Sequence, residues 1–277
     1  MRKKFKTYKV RFLLLIAIIL IGKIGNAQQL PLYSQYLNNG FLLNPAMAGY
    51  DGYTSINMTV RKQWAGFKNS PLTYSVSAQT RLLRRSYNII NRRGRSNRIK
   101  SSTKGRVGIG GYVFNDINGL VSRTGAQFTY AYHIYFYRSQ LSFGLAGQAF
   151  QYKIDEDNLS FFREDDPLIQ GKLNTVTFIP DANFGVFWTG RKFFVGLSAN
   201  QLFQSTLKLG SSDLGNLKMY RHYYLMGGYR FINEISGFDF EPSFMLKTTE
   251  QLLPQADITF KTYYRSDYWF GISYRTA

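Results

Sequence analysis

Cysteine is absent from this chain, which excludes disulfide staples and a lipid-modified N-terminal cysteine. Histidine is almost absent, with only His133 and His222. Beyond residue 27 no apolar run approaches the about 18 residues that a membrane-spanning helix needs. Acids are scarce too, 16 against 35 bases, and that imbalance has to be located before it can be interpreted. What is abundant is aromatic: 21 Tyr and 23 Phe beside 25 Gly. That mixture suits twisted strands, tight turns and the aromatic belt of a membrane interface better than it suits helices. The 277 residues fit one large β domain or two average ones.

The first 27 residues read as a secretory signal peptide. Arg2, Lys3, Lys4, Lys6, Lys9 and Arg11 form its basic region, Phe12 to Ile21 its apolar core, and Gly25-Asn26-Ala27 its cleavage site. Ten apolar residues are too few to cross about 30 Å of hydrocarbon as a helix. Removing residues 1–27 takes away seven bases and no acids, so the net charge of +19 becomes +12. Ten Lys/Arg and no acid lie between Arg81 and Arg106, which concentrates the charge in one segment. Local charge on an exported chain argues against nucleic acid as a partner.

From Tyr53 onward the dominant period is two. Thr54, Ile56, Met58 and Val60 alternate with Ser55, Asn57, Thr59 and Arg61, and Leu72, Tyr74, Val76 and Ala78 with Thr73, Ser75, Ser77 and Gln79. The same holds for Ala126–Ile134, and again for Phe238, Phe240, Phe244 and Leu246 against Asp239, Glu241, Ser243 and Lys247. Eleven segments follow, near 53–62, 72–80, 105–115, 121–135, 140–151, 181–189, 191–201, 219–231, 237–247, 255–263 and 267–275. Strands of about 9–11 residues, apolar on one face and polar on the other, fit a tilted membrane-spanning barrel. Longer connections at 63–71, 116–120, 152–180, 202–218 and 248–254 are expected to alternate with short turns, as outer loops alternate with periplasmic turns. The run 81–104 falls on the short side. Its Arg81, Arg84, Arg85, Arg92, Arg93, Arg95, Arg98, Lys100 and Lys104 suit a solvated loop, or a docking element for an acidic periplasmic partner or anionic lipid.

No catalytic set stands out. The hairpin would bring His133 near Ser142, but a third orienting group and an oxyanion hole are not evident, so both read as wall residues. Asp155-Glu156-Asp157 and Glu164-Asp165-Asp166 lack calcium-loop spacing and read as a solvated acidic loop. Gly108, Gly110 and Gly111 are followed by no helix start. They read as small interior positions where something packs closely. Asp239, Glu241 and Lys247 can pair across strands with Asp257 and Lys261. No cofactor and no metal site is expected.

The stretch before the first strand is not explained by barrel physics. Tyr33, Tyr36, Phe41, Leu42 and Leu43 are too apolar to hang free, which predicts that residues 28–52 pack at the barrel mouth. Ser34-Gln35-Tyr36, Asn44-Pro45-Ala46 and Ala48-Gly49 resemble the opening of the PorP/SprF family, outer-membrane proteins of type IX secretion in Bacteroidetes. Arg61, Gln63-Trp64, Gly66 and Pro71 resemble its RxQWxG…P turn. Gly108-Ile109-Gly110, Asp116, Gly119, Pro180-Asp181, Asn183, Gly185, Gly227-Gly228-Tyr229, Pro242-Ser243, Leu246-Lys247, Gly271 and Tyr274-Arg275 extend the similarity in order along the mature chain.

The resemblance implies a non-enzymatic component of the secretion and gliding apparatus that supports export or surface attachment of cargo carrying a C-terminal sorting domain. Its implied partners are other components of that system, the cargo and membrane lipid. It also implies more strands than eleven, so the expected fold is an all-β transmembrane antiparallel barrel, residues 53–277, lacking its closing C-terminal strands. A general diffusion porin is the alternative, and it requires an open interior.

Overall fold

The computed structural model describes residues 39–67, 70–82, 105–154, 177–208, 216–233, 237–250, 254–265 and 268–276. Two single 3₁₀ turns, Gly40–Leu42 and Pro45–Met47, precede the strands. The strands are β1 (Ser55–Lys62), β2 (Leu72–Leu82), β3 (Val107–Asn118), β4 (Val121–Tyr135), β5 (Ser139–Ile154), β6 (Thr177–Gly190), β7 (Phe193–Asn200), β8 (Thr206–Lys208), β9 (Asn216–Lys218), β10 (His222–Tyr229), β11 (Phe238–Thr249), β12 (Gln255–Tyr264) and β13 (Tyr268–Arg275). Eleven of them form one sheet in chain order, with β7 beside β10, and β8 and β9 form a separate small hairpin. Every pairing is antiparallel. All eleven expected segments are strands of the main sheet. Among the described residues β1 pairs only with β2 and β13 only with β12, so the sheet as described is open between them.

Period-two alternation puts polar residues on the covered face and apolar residues on the exposed one. Thr129, His133 and Ser142 are wholly buried, whereas Met58 is 77% exposed, Phe128 63% and Leu145 58%. A water-soluble sheet would bury these side chains the other way round, so the outer face suits hydrocarbon. Exposed aromatics meet across strands on that outer face: Phe238 and Tyr264 with ring centroids 4.8 Å apart, and Phe240 and Phe260 at 5.9 Å. No helix among the described residues is long and apolar enough to cross a membrane, which has no bearing on crossing by strands.

The expected alternation of long and short connections fails at 116–120 and again around β11, where residues 230–237 before it outnumber residues 250–254 after it. The 116–120 connection shrinks to the turn Gly119-Leu120, because β3 runs through Asp116 to Asn118. Thr73 donates to Asp116 there at 2.5 Å, so polar residues that looked like a loop are rim positions of paired strands. Gly119 takes φ +64°, the left-handed conformation the tight turn needs. β5 likewise extends to Ile154 and β6 starts at Thr177, and the acidic clusters between them lie outside the described residues.

The acids on the covered face of β11 and β12 are matched. Asp257 accepts twice from Arg275, at 2.7 Å each, and Asp239 accepts from Arg230 at 2.9 and 3.2 Å. Lys261 lies 3.8 Å from Glu241, one of the cross-strand pairings expected from the sequence.

Candidate functional site

The densest polar packing surrounds residues 39–50. Asn44 caps the second 3₁₀ turn, its Oδ1 accepting from Ala46 N at 2.9 Å. Pro45 follows at the first position of that turn, where its fixed φ suits the geometry and its missing N–H costs nothing. Asn44 Nδ2 donates to Val186 O on β6 at 3.0 Å and to Leu197 O on β7 at 3.2 Å. One wholly buried side chain thus folds the segment and ties it to two strands.

Other strands grip the same segment. Asn39 donates to Ser77 on β2 at 2.8 Å, and Gly49 N to Gln79 at 3.2 Å. Leu43 O accepts from Ser198 on β7 at 2.7 Å, and Tyr50 O from Arg81 on β2 at 2.9 Å. Leu43 and Ala46 pack with Phe187, Tyr224, Met226 and Met245, bringing in β10 and β11. Phe41 and Ala48 pack with Tyr112, Phe114, Phe150 and Met219. A segment this short touches one face of β2–β7, β10 and β11 only if the sheet curls around it.

Glycine makes the close approach possible. A Cβ at Gly108 would strike Ala48 O, at Gly144 the Ala46 backbone, at Gly185 the Asn44 Oδ1, and at Gly110 the Phe41 ring. These all lie on the covered face of β3, β5 and β6, and what packs closely on Gly108 and Gly110 is the N-terminal segment. A Cβ at Gly111 would meet only Gln127 O at 3.9 Å, so the expected close packing fails there. Gly49 itself has φ +64° and abuts the Thr80 carbonyl, so a side chain is excluded there on both grounds.

His133 and Ser142 do meet, with Nδ1 2.8 Å from the hydroxyl, as their register requires. The other ring nitrogen lies 3.1 Å from Ala48 O. A carbonyl only accepts, so Nε2 carries the proton and Nδ1 accepts from Ser142. Gln140 completes the group, donating to Ser142 at 3.0 Å. The orienting partner of the imidazole is thus the N-terminal segment rather than a carboxylate, and both residues are fully buried beneath it. The cluster fastens the segment to β4 and β5. Tyr50 sits edge-on to Phe187 at 5.3 Å. Burial first, then nearby Asp51, push its phenol up to about 12, so it stays neutral.

Asp181 and Asn183 are buried on β6 but serve a different neighbour. Asp181 Oδ1 accepts from Ala182 N at 2.7 Å and from Phe203 N at 3.2 Å. Asn183 accepts from Gln201 N at 3.0 Å and donates to Gln127 and Gln148. Both hold the connection after β7 against the sheet, and Met219 from that connection reaches the cluster around Phe41. His222 also joins this group, with Nδ1 3.0 Å from Gln201 Oε1.

The RxQWxG…P turn stands apart from the buried segment, at the far end of β1. Gln63 N donates to Pro71 O at 2.9 Å and closes the turn, while Trp64, at φ +50°, is 76% exposed. Arg61 lies on β1 just before that turn, and a Cβ at Gly66 would meet nothing. Of the basic run only Arg81 is described, and Arg84 to Lys104 lie outside the described residues. So do Ser34, Gln35, Tyr36 and the whole of residues 1–27.

A cavity of about 460 Å³ remains beside the segment. Asn39, Tyr50, Asn57, Gln79, Glu241 and Lys261 are among its lining residues, so β1, β2, β11 and β12 face a common space. Among the described residues no three His, Asp or Glu side chains converge as metal ligands.

A family model described as type IX secretion system membrane protein PorP/SprF matches residues 25–277. Comparison with curated proteins and comparison with solved structures each return no match. The match spans nearly the whole chain, including the buried Asn44-Pro45-Ala46 turn, the exposed Trp64 turn and all thirteen strands, and the chain belongs to the PorP/SprF family of type IX secretion system membrane proteins.

Proposed function

We propose that this protein is a non-enzymatic outer-membrane component of the type IX secretion and gliding apparatus. It supports export or surface attachment of cargo carrying a C-terminal sorting domain, after signal-peptide removal near Ala27. The observation that carries this reading is the interior: residues 39–50 occupy the space that a diffusion pore would leave open, in a chain whose family belongs to a secretion system. The sheet then acts as a wall and docking body rather than a channel. The exposed Trp64 and Phe67, which strand pairing does not require, are the contact points for other components of the system.

Deleting the gene and comparing surface proteomes tests this. Sorting-domain proteins are expected to be depleted from the surface and restored by the wild-type gene, and unchanged levels of every such protein would count decisively against it.

A porin reading finds support in the polar-lined cavity alone. Liposome swelling separates the two: robust sugar passage favours the porin, and its absence favours the filled interior.

A further inference from the structure

The end of the sheet that holds the β4–β5 and β6–β7 turns carries a row of cations. Arg106 opens β3, Arg138 lies in the β4–β5 turn, and Arg191 and Lys192 form the β6–β7 turn. These turns are neighbours, since Val107 pairs with Tyr132 and Ser139 with Gly190. All four side chains are exposed, and among the described residues none makes an ion pair with a carboxylate. The other half of this rim differs. Arg265 is exposed there over Tyr264 at 5.2 Å, but Arg230 is held by Asp239, and the β10–β11 and β12–β13 turns carry Glu234 and Asp267 in the sequence. The nearest exposed acid in the described lead-in is Asp51, which bonds the backbone N–H of Tyr53.

Arg106 and Arg138 each touch a ring at the margin of the apolar face, and Arg191 and Lys192 share their turn with an aromatic pair. Arg138 lies over Tyr137 at 5.3 Å, and Arg106 reaches the Tyr132 hydroxyl at 3.5 Å. Trp188 and Phe193 flank Arg191 and Lys192, with centroids 5.0 Å apart. Amphipathic rings settle at headgroup depth, with an apolar body in the acyl region and a polar edge in water. Cations at that depth face lipid phosphates rather than solvent or a protein partner beyond them. We propose that Arg106, Arg138, Arg191 and Lys192 form a binding rim for anionic phospholipid headgroups on one half of the sheet. This rests on the membrane reading of the sheet. Each basic side chain near an anionic surface contributes about fivefold in binding.

The test reconstitutes the full chain into phosphatidylcholine vesicles with and without phosphatidylglycerol. Lipid retained after gentle detergent extraction is then counted by native mass spectrometry. Wild type is expected to retain phosphatidylglycerol several-fold over its bulk share. The R106S/R138S/R191S/K192S variant is expected to lose that preference, whereas R265S on the other half keeps it. Equal enrichment in the quadruple variant, or none in wild type, overturns the rim while insertion itself still succeeds. Capture of an acidic protein through these four residues without lipid enrichment also overturns it. Failure of wild type to insert into either vesicle overturns the membrane reading together with the rim.

Discussion

Asn44 is the residue on which the interior depends most. Its three hydrogen bonds satisfy the 3₁₀ turn and join it to β6 and β7, and the side chain is wholly buried. Asn44→Ala leaves the Ala46 N–H buried without its partner, at a cost of about 1–3 kcal/mol. Chemical denaturation in detergent is expected to show that loss, together with faster protease cleavage within residues 39–50. Gly144→Ala attacks the same contact from the wall, since its methyl would enter the Ala46 backbone. Overpacking of this kind costs about 1–3 kcal/mol, whereas Gly147→Ala, which meets nothing within 4 Å, is expected to be neutral in the same assay. The contacts of Asn44 were not legible in the sequence. A motif marks that a residue is special, but its partners at Val186 and Leu197 exist only once β6 and β7 have been placed beside it. The glycines were half legible: spacing put Gly108 and Gly110 on the covered face, and only the fold shows what presses on them.

Strands were the most legible elements, because alternation is a property of the extended backbone itself and needs no tertiary knowledge. Where the reading failed at 116–120, the cause was polar residues at a strand end. Asn115, Asp116 and Asn118 pair with Thr124, Arg123 and Val121 beyond the hydrocarbon level, where alternation no longer has to be apolar. The pairing of His133 with Ser142 followed from the hairpin. Its role did not, since Ala48 arrives from 85 residues away. The outer face gives the prediction at this scale. Leu145 sits near the middle of β5 with its side chain exposed on the apolar face. Leu145→Arg is expected to destabilise the bilayer-inserted protein by about 2–4 kcal/mol, as a cation at mid-membrane does on a barrel wall. Gln151→Arg, exposed on the same face nearer the strand end, is expected to shift stability by less than about 1 kcal/mol. Urea unfolding from vesicles measures both, and equal effects would place the hydrocarbon elsewhere.

For the whole molecule, the central claim is that the sheet is a membrane wall built around its own N-terminal segment. Curling is what lets one short segment touch strands from β2 to β11, and family membership is what turns a filled interior into a secretion component rather than a failed pore. The most direct test uses the absence of cysteine, which gives a clean background for a single engineered pair. Asn39 and Ser77 are in hydrogen-bond contact and neither lies on a close-approach glycine. In membranes of cells expressing N39C/S77C, oxidation is expected to bridge the two near-quantitatively and leave neither thiol open to a maleimide. Free labelling of both thiols, with no bridge formed, would contradict the claim that residues 39–50 are lodged inside the sheet.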